Sequence, residues 1–364
     1  MEKKRVLYIG GFQLPDKNAA AFRVIANAKV LRDIGYDVVF VNALTECESN
    51  RIKEVEYEGF KCLEYKRELQ RKYLLSCKNI ISIIKELEPQ IVIAYNYPSI
   101  ALNRLRKYCH SSKIKCYADA TEWYVPTGNL IFRLIKGFDT EFRMRYVQPR
   151  MDGVIAISSY LYEYYKRKVK TVEIPPLVDL QEDKWNLGEK HSKKAHIGTR
   201  FIYAGSPSAQ KERLDLIVNS IENSELPDLY IDIIGITKEQ YDLMYGCKYV
   251  GDRATFYGRI SNKEAIKMIE NADWVVVLRD KNKVVQAGFP TKVPEAISCG
   301  TPIIANRFSN IDRFLNENNS ILLDDVEEFP VSLTKIMDIK DKKIDRYIFD
   351  YRNFVEPLKN FMEG

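Results

Sequence analysis

The sequence predicts an α/β protein made of two parallel-sheet domains, on three observations. Short apolar runs alternate with stretches that are amphipathic at helix spacing, the rhythm of repeated βαβ units. That rhythm stops at a polar, Lys-rich segment from Pro175 to His196 and then begins again. A chain of 364 residues also exceeds what one compact core holds and fits two domains of roughly 150–200 residues.

The first half opens with an apolar run from Arg5 to Gly11, stopped by two glycines, then a helical pattern from about Ala19 to Ile34 ended by Gly35. Asp37–Val41 and Phe60–Tyr65 read as strands, and Arg71 to Leu87 as one long helix. Ile91–Tyr95, a helix from Ser99 to Tyr108, and Ile114–Ala118 continue the alternation. Gly153–Ile157, a helix from Ser159 to Arg167 and a short strand near Thr171 to Ile174 complete it. After the connection, strands are expected at Arg200–Gly205, Leu229–Gly235, Thr255–Tyr257, Trp274–Leu278 and Pro302–Ala305. Helices are expected at about Lys211–Asn223, Lys263–Asn271 and Val293–Cys299. The expected division is residues 1–178 and 179–345, with a C-terminal helix at about 346–364 packing back on the first domain. Both domains read as Rossmann-like, with parallel sheets facing a cleft. In such sheets ligands sit beyond the carboxyl ends of the strands.

Composition removes several function classes. A net charge of +6 is too mild for a dedicated nucleic-acid binder. No apolar stretch reaches the roughly 18–20 residues of a membrane span, and the run after Arg5 is too short for a secretory signal. Seven scattered cysteines without a CxxC pair read as thiols of the reducing cytoplasm. With three histidines and no HExxH, neither a metal site nor a metal-dependent mechanism is expected. The GxGxxG fingerprint is missing after the first strand, which counts against NAD.

The most informative window is Ala287-Gly-Phe-Pro-Thr-Lys-Val-Pro-Glu-Ala-Ile-Ser-Cys-Gly-Thr-Pro302. The amides of Gly288, Phe289, Thr291 and Lys292, with Pro290 among them, precede a helix N-terminus, where N–H groups and the helix dipole favour an anion. Glu295 falls in the first turn, placed either to accept hydrogen bonds from a diol or merely to complement the dipole. Spacing alone leaves both readings open.

This window resembles the donor-binding segment of family-4-like retaining glycosyltransferases of the GT-B fold. The nearest likeness is to their capsule and cell-surface polysaccharide subgroup. The resemblance implies that Glu295 holds the nucleotide ribose while the loop amides face donor sugar and diphosphate. The family's second Glu, eight positions earlier, is here Ala287. Lys292 is expected either to bind phosphate or to stand solvated at the helix start. Tyr203 to Asp215 resembles the segment opening the second domain, where Lys211 would contact the diphosphate. Ser206 stands near the place of a customary Arg, and Arg213 either compensates or is solvated. Phe256 to Ile260 resembles the segment that reads the nucleobase, with Gly258 and Arg259 as contacts. Arg279, just after a strand, is expected to point towards the cleft.

In the first half, Gly11 and the loop from Pro15 to Arg23 resemble the glycine-bearing first loop, though any tight turn would use the same glycines. Asp119 and Glu122 follow a strand; they either orient or deprotonate an acceptor hydroxyl, or cap a helix or pair with a base. No histidine follows a core strand, and Asn96 is the available polar substitute. Two basic, amphipathic stretches, Lys61 to Lys85 and Leu130 to Arg145, are read either as solvated faces or as peripheral contacts with an anionic membrane.

The resulting expectation is a cytoplasmic, retaining, metal-independent glycosyltransferase of surface polysaccharide biosynthesis. It takes a nucleotide sugar as donor substrate, a glycan or lipid-linked acceptor and no further cofactor. A sugar-nucleotide epimerase and an inactive GT-B binding subunit are the alternatives.

Overall fold

The computed structural model describes residues 3–16, 18–44, 52–67, 70–185, 197–208, 211–336 and 343–364. In chain order the first half runs β1 (Arg5–Gly10), α1 (Ala19–Ile34), β2 (Asp37–Leu44), β3 (Lys53–Tyr57), β4 (Phe60–Lys66), α2 (Gln70–Leu75) and α3 (Lys78–Leu87). It continues with β5 (Ile91–Tyr95), α4 (Ser99–Ser111), β6 (Lys115–Ala120), α5 (Leu130–Phe142), β7 (Gly153–Ala156), α6 (Ser159–Tyr165) and β8 (Thr171–Glu173). The second half runs β9 (Thr199–Ala204), α7 (Leu214–Glu222), β10 (Leu229–Ile234), α8 (Lys238–Tyr245), β11 (Ala254–Gly258), α9 (Asn262–Asn271) and β12 (Trp274–Val277). After it come α10 (Lys283–Ala287), α11 (Lys292–Cys299), β13 (Ile303–Asn306), β14 (Ser320–Leu323), α12 (Phe329–Ile336) and α13 (Val355–Glu363).

Two compact units result: residues 1–177 with 287–289 and 351–364, and residues 178–286 with 290–350. The first holds an eight-stranded sheet ordered β3-β4-β2-β1-β5-β6-β7-β8. Its strands pair in parallel except the β3–β4 hairpin at the edge. The second holds a six-stranded, wholly parallel sheet ordered β11-β10-β9-β12-β13-β14. Central strands such as β1, β7, β12 and β13 are buried on both faces, which is why they read as unbroken apolar runs.

Each unit has its own core. In the first, Val6, Tyr8, Phe40 and Ile93 pack with Leu358, Phe361 and Met362 of α13. In the second, Phe201, Ile217, Ile233, Trp274 and Phe329 form a separate cluster. Local signals set the helix ends. Asn18 caps α1 by accepting from the Ala21 amide at 2.9 Å, and Gly35 ends it in the left-handed region. Thr237 and Ser261 open α8 and α9 with capping boxes.

Three expectations are corrected here. The single helix expected over Arg71–Leu87 is two, because Ser76 Oγ accepts from the Lys78 amide and breaks the backbone ladder. The helix expected from Lys211 begins at Leu214, because Glu212 is drawn into a bridge with Arg279. The elements β3, α5, α8, α10, β14 and α12 were not anticipated. The expected connection is described only as far as Trp185; residues 186–196, with His191 and His196, lie outside the described residues.

Candidate active site

At the carboxyl ends of three neighbouring strands of the second unit stand three glycines in the left-handed region. Gly205 follows β9 (φ 137°), Gly235 follows β10 (φ 104°) and Gly258 ends β11 (φ 64°). The Gly235 amide donates to the Gly258 carbonyl at 2.7 Å, and the Gly205 amide to the Ile234 carbonyl at 3.1 Å. A Cβ on Gly235 would lie 2.3 Å from the Gly205 carbonyl oxygen. The glycines therefore let these strand ends pack backbone against backbone.

Beside them lies a buried charge cluster. Glu212 Oε1 accepts from Arg279 Nη2 at 2.6 Å and lies 3.6 Å from the Lys292 ammonium. Its Oε2 accepts from the Ser208 amide at 2.9 Å. The Arg279 backbone is clasped on both sides by Asn306 at the end of β13, each bond 2.9 Å. Lys292 sits 4.3 Å from the Tyr203 ring centre and packs against Gly205, whose added Cβ would meet its Cε at 3.0 Å. Burial lowers the Lys292 ammonium, and Glu212 opposes that fall. Burial alone would raise the Glu212 carboxyl, but Lys292 and Arg279 outweigh it and hold it below its ordinary value. Two cations against one carboxylate leave the cluster net positive. Arg279 Nε and Tyr203 Oη, both buried, have no hydrogen-bond partner among the described residues.

Glu295, in the first turn of α11, is partly buried, and among the described residues its carboxylate has no hydrogen-bond or ion-pair partner. Burial pushes its carboxyl up to about 7, against the pull of Lys292 and Lys184. Phe289 and Pro290 are buried ahead of that helix, while Gly288 and Thr291 are partly exposed. Thr291 is the capping residue of α11, with no side-chain cap. Lys211 lies in a turn before α7; its amide donates to the Ser208 carbonyl at 2.8 Å, and its ammonium has no partner among the described residues. Gly258 is buried and Arg259 exposed.

Several open readings are resolved by this geometry. Lys292 is buried and not a solvated helix-start lysine. Arg213 pairs with Asp215, Asp280 and Glu327, so its charge is already met. Arg279 is engaged with Glu212 instead of standing open. Ala287 is fully buried.

In the first unit, Asp119 at the end of β6 is fully buried and accepts from Arg23 Nη2 at 2.7 Å and Nε at 2.9 Å. It also accepts a short hydrogen bond from Tyr8, while Arg23 donates to the Ile174 carbonyl at 2.8 Å. Pairing with a base is thus what the structure shows for Asp119. Its oxygens are occupied, and it is not offered to an acceptor. Glu122, three residues on, is partly exposed and has no such partner among the described residues. Gly11 is exposed, and a Cβ there would make only ordinary contact, 3.5 Å from the Ala43 carbonyl. Asn96 is held by Thr121 at 2.6 Å. Among the described residues no group of three or more His, Cys, Asp or Glu is placed to hold a metal ion.

Sequence reasoning missed Glu212, Tyr203, Gly205, Gly235 and Arg23. The Gly residues after β9 and β10 stood in plain positions, but nothing marked Glu212 as the partner of residues 67 and 80 positions away.

Residues 189–346 match the family model of glycosyl transferases group 1. The matched segment, less than half of the chain, contains the glycine strand ends, the charge cluster, Lys211 and Glu295. No curated protein matches the sequence. Among solved structures, sucrose-phosphate synthase from Thermosynechococcus elongatus is similar with a TM-score of 0.68 at 13% identity, over 99% of this chain and 98% of that one. A glycosyltransferase from Rickettsia africae gives 0.69 at 13% over all of both chains. Anabaena HepE in complex with UDP and glucose gives 0.66 at 12% over 99% of each. At such identities the likeness is one of fold: two parallel-sheet domains of the GT-B glycosyltransferase kind.

Proposed function

We propose that the protein is a glycosyltransferase that moves a sugar from a nucleoside-diphosphate sugar to a glycan or lipid-linked acceptor, with retention, in surface polysaccharide assembly at the cytoplasmic side. The observation that carries the reading is Glu295. A partly buried carboxylate without a partner, at the start of helix α11, is matched to a ligand bearing two adjacent hydroxyls. Ionised, it accepts two hydrogen bonds from a ribose diol, which repay its burial.

The remaining roles follow from placement. Lys211 and the amides of Thr291 and Lys292 take the diphosphate, with the net positive cluster of Arg279, Lys292 and Glu212 behind them. Gly258 and Arg259 shape the base pocket. The bond from the anomeric carbon to the diphosphate oxygen breaks with its electron pair passing to the diphosphate. Side-chain cations stabilise that charge as it develops. The acceptor oxygen bonds to the anomeric carbon on the face the diphosphate leaves, and its proton passes to a departing diphosphate oxygen. The UDP and glucose held by HepE, a protein of similar fold, make UDP the first nucleotide to try.

The test is a thermal-shift screen against UDP, GDP, CDP and ADP, with Lys211→Ala and Glu295→Gln alongside. One nucleotide is expected to raise the midpoint of the wild type and to do so far less in either variant. Because the Glu295 carboxyl titrates near 7, the free protein holds a proton there that the diol-bound form gives up. The wild-type shift should therefore grow as pH rises through about 7, beyond any growth seen in Glu295→Gln. No shift with any nucleotide, or equal shifts in both variants, overturns the donor site. A second reading, a binding-only subunit, is favoured by Ala287 where the resemblance places a Glu. A nucleotide that binds while its sugar conjugate releases no diphosphate with any acceptor would select it.

A further inference from the structure

Helix α5 is amphipathic in the reverse sense. A surface helix normally turns its apolar stripe to the core. Here Leu130, Ile131, Leu134, Ile135 and Phe138 are 69%, 71%, 64%, 52% and 58% exposed. At 100° per residue these five fall within an arc of about 140°, so they form one continuous outward face. The helix is held to its own unit from the other side. Asp139 accepts from the Ser99 amide at 2.8 Å, and Thr140 is buried. The face continues past the helix end as a ladder of stacked rings, Phe138 on Phe142 (5.5 Å) and Phe142 on Tyr146 (5.0 Å), with the Arg150 guanidinium 3.8 Å from the Tyr146 ring centre.

Both acids of α5 are engaged: Asp139 with Ser99, and Glu141 with Trp123 Nε1 at 2.8 Å and with Arg145. Arg133 and Arg150, both exposed and towards the two ends of the face, have no acidic partner among the described residues. An apolar face with a cation free of acids towards each end repels a second copy of itself and complements a layer of anionic headgroups over hydrocarbon.

We propose that α5 is a membrane-docking helix that lies in the plane of an anionic bilayer surface. Leu130, Ile131, Leu134, Ile135 and Phe138 enter the acyl boundary, and Arg133 and Arg150 engage lipid phosphates. The other basic stretch does not share the role: Ile80, Ile83 and Ile84 of α3 are buried, so its apolar stripe is spent on the core. This inference does not depend on the transferase reading, because it rests on one helix of the first unit.

The experiment is flotation of the full chain with vesicles of phosphatidylcholine alone, and of phosphatidylcholine with about a third phosphatidylglycerol, at low and high salt. The wild type is expected to bind the anionic vesicles at least about tenfold more strongly than the neutral ones, and less at high salt. Leu134→Asp/Phe138→Asp and Arg133→Glu/Arg150→Glu should each lose about tenfold, with unchanged thermal midpoints since all four side chains are exposed. Leu75→Asp, on the other basic stretch, should bind as the wild type. Absence of binding, equal binding by the α5 variants, or loss on Leu75→Asp overturns the proposal. So does a wild-type dimer in sedimentation without lipid that Leu134→Asp/Phe138→Asp converts to monomer, which would assign the face to a second copy.

Discussion

Glu212 keeps two buried cations in one place. Without its charge, Arg279 and Lys292 would stand in a low-dielectric site with nothing between them but each other. Removing one member of a buried ionic group strands the rest, at about 3–5 kcal/mol. Glu212→Gln should therefore lower stability by about that amount in urea unfolding, and adding Lys292→Met should recover part of it by removing one stranded cation. The pH dependence has a definite sign. The lowered Glu212 carboxyl contributes stability above the ordinary carboxyl range, and that contribution disappears as pH falls through its folded value. At this scale the sequence was legible only in part. Glu295, Lys211 and Lys292 sit in windows whose local pattern marks them. Glu212 and Arg23 do not, because their meaning is a partner distant in the chain: Arg279 for one, Asp119 for the other.

At the level of elements, most of the strand–helix alternation could be read directly, since parallel strands buried on both faces leave unmistakable apolar runs. What escaped was whatever departed from that logic. The β3–β4 hairpin lies at a sheet edge and carries charge along β3, so it lacks an apolar run. Helix α5 carries its apolar stripe towards solvent, so it offered no reason to be placed against a core. The glycine strand ends supply a test at the same scale. Gly235 combines a positive φ with a Cβ position inside van der Waals contact of the Gly205 backbone. Gly235→Ala must push β9 and β10 apart at their carboxyl ends. Strain at the backbone angle alone costs about 1–3 kcal/mol, and the nucleotide-induced thermal shift should be lost along with it. Retention of that shift in Gly235→Ala would show that the strand ends do not shape the donor site.

Across the whole molecule, the chain builds its first unit, passes through the second, and returns. Residues 351–364 belong to the first unit, where Leu358, Phe361 and Met362 complete a core begun by Val6 and Tyr8. The Phe361 ring lies 5.1 Å from that of Tyr117 and fills the space beside Gly153, where a Cβ would meet it at 2.6 Å. Phe361→Ala should cost the first unit about 3–5 kcal/mol. Calorimetry should show this as a fall in one transition while the other holds, because the two apolar clusters share no residue. The return of α13 also has a consequence for synthesis. A ribosome delivers residues 351–364 only after it has made all of the second unit. The core of the first unit can therefore be closed only after every residue of the second unit has been made, so the part begun first is the part finished last.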